Sequence, residues 1–154
     1  MVRSWDTTKD KAAIIMFNPA RVNPVPFRLG STLSNIVMHL EKENIGSFEV
    51  VNLYPYTSDK KDLLPEDKRK FDENNYKHIE EAVNSSEIVV LFWGNDNIVS
   101  RNPRFVELLM RNTEKLRCFR VTSKNCPDYI YGLSLKHSLQ KCTISENGDI
   151  TIKN

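Results

Sequence analysis

Ala12-Ala13-Ile14-Ile15-Met16-Phe17, leading into Asn18-Pro19-Ala20, is the stretch that decides the fold. Its apolar residues run on without polar alternation. Such a run reads as a strand buried on both faces, the mark of a parallel sheet covered by helices. Two further runs repeat the pattern. Phe48-Glu49-Val50-Val51 leads into Asn52-Leu53, and Ile88-Val89-Val90-Leu91-Phe92 leads into Trp93-Gly94-Asn95. In parallel sheets of this kind ligands bind just past the carboxyl ends of the strands. Here that rim carries two asparagine amides and a Trp-Gly turn.

The segments between the runs have helical spacing. Asn18 to Gly30 holds Pro19, Pro24 and Pro26 and is expected to be irregular. Leu33, Ile36, Val37 and Leu40 then form one apolar stripe, with Ser31 or Thr32 as its cap and Asn44-Ile45-Gly46 as its end. A second strand over about 48–54 stops at Pro55. Helical periodicity returns over about 66–84, with Phe71, Tyr76, Ile79, Ala82 and Val83 inward. A third strand covers 87–92. Pro103 suits the first position of a third helix, and a fourth strand covers about 117–122. Residues 123–138 read as irregular. Alternation around Asn147-Gly148 predicts a type I′ hairpin.

The order is βαβαβαβ and a hairpin, and right-handed crossovers put helices on both faces. This predicts a single α/β domain over residues 1–154, a three-layer α/β/α sandwich. Its sheet is four-stranded and mainly parallel, with a C-terminal β-hairpin. Residues 1–11 read as a polar lead-in.

With 154 residues the chain can bury a real core. Its net charge of +2 does not by itself call for nucleic acid. The distribution is more telling. Arg101, Arg104, Arg111, Lys115, Arg117, Arg120 and Lys124 face only Glu107 and Glu114 in the same stretch. That is either a nucleic-acid surface near the rim, carried by Arg101, Arg104 and Lys124, or a solvated helix face. No apolar stretch approaches the roughly 18 residues that span a bilayer, and the N-terminus lacks a signal-peptide apolar region. The expected location is the cytoplasm, away from membranes.

Cys118, Cys126 and Cys142 lack zinc-site or redox-motif spacing. No Walker A sequence, dinucleotide glycine pattern, nucleophile elbow or metal-ligand cluster is present, so neither metal nor cofactor is expected. The remaining polar candidates sit at the rim. Asn18, stiffened by Pro19, can orient a water or a ligand carbonyl, or can stabilise its own turn. Asn52 offers a donor and an acceptor to the edge of a base, or bonds a neighbouring loop. Trp93 either packs beneath the rim or lines it for a ligand with Pro19, Thr32 and Gly94, and Gly94 permits a close approach or an unusual turn. His137 can hold a leaving group or move a proton. His39 and His78 fall on helices and are expected at the surface.

Taken in order, Asn18-Pro19-Ala20, Gly30-Ser31-Thr32, Val51-Asn52-Leu53-Tyr54, Asn74-Asn75, Phe92-Trp93-Gly94 and His137-Ser138-Leu139 resemble a family of small bacterial and phage proteins known only as a domain of unknown function. The resemblance covers about residues 12–140. The same series is more distantly similar to the uracil-DNA glycosylase superfamily, through Ser31-Thr32-Leu33-Ser34-Asn35-Ile36 and Val90-Leu91-Phe92-Trp93-Gly94. That second resemblance implies a glycosylase-like fold. It also implies roles: Asn18 positions the attacking water, Asn52 reads the base edge, and His137 stabilises the departing base anion. Phe27 stacks on the base, and Ser31 touches a phosphate.

The expected function is therefore a pocket for a nucleobase or nucleotide, with hydrolysis of an N-glycosidic bond in DNA or a nucleotide as its reaction. Such chemistry needs complementary hydrogen bonds to the base and a donor aimed at the charge that develops on it. The rival expectation is a non-catalytic protein that sequesters a nucleotide or inhibits a protein partner. The late motif, with Ser138 where the glycosylases carry proline, favours that rival.

Overall fold

A computed structural model describes residues 1–19, 30–58 and 64–154. Its strands are β1 (Val2–Ser4), β2 (Asp10–Met16), β3 (Ile45–Asn52), β4 (Ile88–Leu91), β5 (Leu116–Cys118), β6 (Gln140–Ile144) and β7 (Ile150–Ile152). The α-helices among the described residues are α1 (Ser31–Lys42), α2 (Glu73–Asn84) and α3 (Pro103–Arg111).

The sheet is mixed and seven-stranded, in the order β1-β3-β2-β4-β5-β6-β7. This corrects the expected four strands. The fourth strand, expected over about 117–122, is the three-residue β5. β3, β2, β4 and β5 run parallel at the centre of the sheet. Antiparallel strands extend it at both edges: β1 on β3, and the β6–β7 hairpin on β5. Residues 2–4, expected as lead-in, pair through their backbone with Ser47, Phe48 and Glu49 while all their side chains stay exposed. An edge strand of that kind leaves no apolar signature.

Period-2 alternation divides the core in two. Ala12, Ile14, Phe48, Val90 and Phe92 face α1, where they meet Ile36 and Leu40. Ala13, Ile15, Val51, Val89 and Leu91 face α2 and α3, where they meet Ile79, Val83, Phe105 and Leu109. The chain leaves β2 toward β3 on the first face. It returns over β2 to β4 and β5 on the second. The connections therefore diverge between β2 and β4, which makes the crevice beyond those two strands the topological switch point.

Local details differ from the expectations. Gly30, not Ser31 or Thr32, is the α1 N-cap, and no side chain caps that end. β3 begins at Ile45 because Asn44, at φ 62°, turns the chain directly out of α1. The expected helix over 66–84 is a single 3₁₀ turn at Glu66–Lys68 followed by α2, which Asp72 caps by accepting from Asn75 N. Pro103 does open α3, with Asn102 as cap. The hairpin at Asn147-Gly148 exists, but its turn is not type I′. Only Gly148 has a positive φ, at 83°. Gly148 N donates to Ser145 O and Ser145 N to Asp149 O, so a type I turn is closed by a glycine bulge.

Candidate functional site

The rim beyond the parallel strands is assembled by backbone ladders that continue past the strand ends. Met16 pairs with Asn52, Leu53 N donates to Met16 O at 2.9 Å, and Tyr54 N donates to Phe17 O at 3.0 Å. Asn18 and Asn52 are thereby held on neighbouring strand ends. Asn18 Nδ2 donates to Tyr56 O at 3.2 Å, which leaves its Oδ1 as an acceptor. No described residue hydrogen-bonds the half-buried Asn52 side-chain amide. Met16 and Val50 pack on the α1 side, so alternation turns Asn52 to that side too.

Asn75 supports this corner. Its Nδ2 donates to both Asn52 O (2.8 Å) and Leu53 O (3.1 Å). A second brace runs from Tyr54, fully buried, whose Oη donates to Asp96 Oδ1 at 2.5 Å. Asp96 also accepts from Ile98 N and Ser100 N. Burial, reinforced by the bond to the Asp96 carboxylate, pushes the Tyr54 phenol far up, so it stays a donor.

Beyond β4, Trp93 is 1% exposed and stands edge-on to Phe105 at 5.6 Å. It is a core residue under the rim. Gly94 is buried with φ 77° and donates to Pro127 O at 2.8 Å, the unusual turn expected of it. Pro19, half-buried, accepts at its carbonyl from Ser58 N. Ser31 is exposed on the first turn of α1, and Thr32 is buried. Phe27 lies outside the described residues, as do most of the proline-rich segment and the loop around Asp59 to Asp62.

His137 belongs to the segment after Leu133, which packs in the α1-side core. Its backbone N donates to Ser134 O at 3.2 Å. The same carbonyl meets His39 Nε2 at 3.2 Å. His39 was expected at the surface and is instead 4% exposed, edge-on to Phe119 at 4.8 Å. Burial holds its imidazole below the usual histidine range. His78 is exposed as expected. Asn18, Asn52 and Gly94 thus share the rim. His137 reaches the α1 side through a different set of contacts, and no described hydrogen bond joins it to the asparagines.

A cleft of about 210 Å³ opens past β4 and β5, lined by Asn95, Asp96, Asn97, Arg101, Lys124 and Cys126. Sequence reasoning named Arg101 and Lys124 for nucleic acid and missed the rest. Arg101 is a strut there. Its Nη1 donates to Asn147 O and Asp149 Oδ1, and its Nη2 to Lys124 O and Cys126 Sγ. Arg104 forms a two-pronged pair with Glu73 and lies 4.5 Å over the Tyr76 ring. Neither guanidinium presents an open fork to a phosphate. Lys124 is exposed. Cys118, Cys126 and Cys142 are buried free thiols. No group of His, Cys, Asp or Glu that could hold a metal occurs among the described residues.

A family model described as Protein of unknown function (DUF1643) matches residues 1–129, most of the chain. The chain belongs to that family. The DUF1643 match takes in β1 to β5 and every rim residue from Asn18 to Cys126. His137 and the β6–β7 hairpin fall outside it. No curated protein and no solved structure matches the chain. No helix among the described residues is long and apolar enough to cross a membrane.

Proposed function

We propose that this protein holds a nucleobase or nucleotide at the rim, in the manner of the uracil-DNA glycosylases, and hydrolyses an N-glycosidic bond. The observation that carries the reading is the Met16–Asn52 register, which sets two side-chain amides on adjacent strand ends beside the switch point. The Asn18 Oδ1 acceptor, which no described residue engages, suits an attacking water. The Asn52 amide, donor and acceptor together, suits the edge of a heterocycle. His137, on the α1 side, is the donor proposed for the leaving base. The parallel order β3-β2-β4-β5, with helices on both faces, supports the glycosylase-like reading.

The test is base release. Wild type, Asn18→Ala and His137→Ala are incubated with nucleotides and with DNA carrying modified bases, and free base is measured by chromatography. The expected result is release by wild type and a loss of about 100-fold or more in each variant, the scale of a lost acid–base group. Melting temperatures should stay within a few degrees. If wild type releases no base from any substrate, hydrolysis is wrong.

A second reading has its own support. His137-Ser138-Leu139 lacks the proline of the glycosylase motif and lies beyond the family match. A binding protein that sequesters a nucleotide, or inhibits a protein partner, needs no leaving-group donor. Thermal stabilisation that grows with nucleotide excess, with the ligand recovered intact, would establish the sequestering form.

A further inference from the structure

We infer that His39 is the positioning residue for His137, acting through the shared Ser134 carbonyl. The proposal's catalytic meaning rests on the role given to His137 above; its structural content does not.

A carbonyl oxygen has two lone pairs. Ser134 O uses one for the His137 backbone N–H at 3.2 Å. The His39 ring approaches the same atom at 3.2 Å. A carbonyl only accepts, so His39 Nε2 carries the proton. The ring is fixed from behind by the edge contact to Phe119, at the end of β5. Leu133 is fully buried and Ile130 nearly so, both in the α1-side core, which brings the carbonyl to the histidine. Lys136 N closes the turn on Ser134 Oγ at 3.0 Å. Among the described residues, the His39 imidazole is the side-chain donor that joins α1 to the turn over 134–137, beside the apolar packing of Leu133.

Fixing a turn in this way is the task of a supporting residue in a site built on a loop. A polar side chain on a helix's buried face is costly unless it is hydrogen-bonded. A purely apolar side chain would fill the space at less cost and would leave the turn unattached. The donor, rather than the ring, is what the geometry uses.

The full-length chain is tested by amide hydrogen exchange, followed by NMR, in wild type, His39→Gln and His39→Phe. Glutamine can place an N–H near the position of Nε2, whereas phenylalanine keeps the ring and loses the donor. Exchange at the His137 amide should quicken about threefold to tenfold in His39→Phe, the range of one net hydrogen bond. It should return toward wild type in His39→Gln, while protection at Ile14 in the core stays unchanged. Undiminished protection of His137 in His39→Phe overturns the proposal. Should that variant fail to fold, nitrogen NMR of the wild-type imidazole decides. The Nε2–H tautomer supports the proposal and the Nδ1–H tautomer ends it. Base release, if wild type shows it, should fall in His39→Phe and recover in His39→Gln. If wild type releases nothing, the proposed function fails while exchange and tautomer still judge this inference.

Discussion

Burial gives His39 a pH dependence of definite sign. Burial lowers its proton affinity, and the positive charge of Lys42 and the neighbouring His137 act in the same direction. The Ser134 carbonyl and Glu43 oppose them without prevailing. The folded-state value thus lies below the unfolded one of about 6.5. Its stabilisation is complete above that pH and is lost as pH falls through the folded value, because the unfolded chain takes up the proton first. Denaturation midpoints of wild type should fall between pH 7 and 5, and those of His39→Gln should fall less. Equal slopes would remove the buried histidine from the account. Helical periodicity could not reveal this residue. Leu33, Ile36, Val37 and Leu40 mark the stripe, and a histidine among them reads as its polar margin. Its cover is a segment about 95 positions away. The strand-end positions of Asn18 and Asn52 were legible for the opposite reason: each ends an apolar run.

At the scale of the element, the β6–β7 turn separates two kinds of glycine requirement. A type I′ turn would need positive φ at both Asn147 and Gly148. Here Gly148 alone occupies that region. A Cβ on it would also lie 2.9 Å from Ser100 O and 2.9 Å from Arg101 Cδ. Gly148→Ala should therefore cost about 1–3 kcal/mol, the range for a non-glycine residue forced into a left-handed or otherwise strained backbone. Asn147→Ala should stay within about 0.5 kcal/mol, as surface changes away from such features do. Denaturant melts of both variants check the pair, and a large cost at Asn147 would restore the type I′ turn. The hairpin itself was legible from alternation. Its turn class was not, because the Arg101 strut that packs against Gly148 comes from a 3₁₀ turn far away in the chain. β1 escaped notice for a related reason: it is held by backbone bonds to β3, which side-chain patterning does not report.

At the scale of the whole molecule, charge decides which nucleic-acid partner is reasonable. A net +2 is small, and most of the basic stretch is answered from within. Arg101, Arg104, Arg111 and Arg120 meet Asp149, Glu73, Glu80 and Asp128. Lys115 and Arg117 turn to backbone carbonyls. None of these acids lies between residues 101 and 124, so the linear sequence shows the bases and hides their partners. Exposed ion pairs are weak, about 0–1 kcal/mol each, and a phosphate could open one. The acid would still stand beside it and repel the newcomer. A duplex substrate also demands base flipping, which takes a few kcal/mol from phosphate contacts. Under the proposed function, these internal pairs favour a nucleotide over a duplex as the substrate. Anisotropy titrations on a labelled duplex should give a dissociation constant weaker than about 10⁻⁴ M at physiological salt, the weak end of non-specific binding. The slope of log K against log salt should be about −1 to −2, the release of one or two counterions. A slope of about −5 or steeper would mean that these pairs open together on DNA, and the substrate would then have to be sought in the duplex.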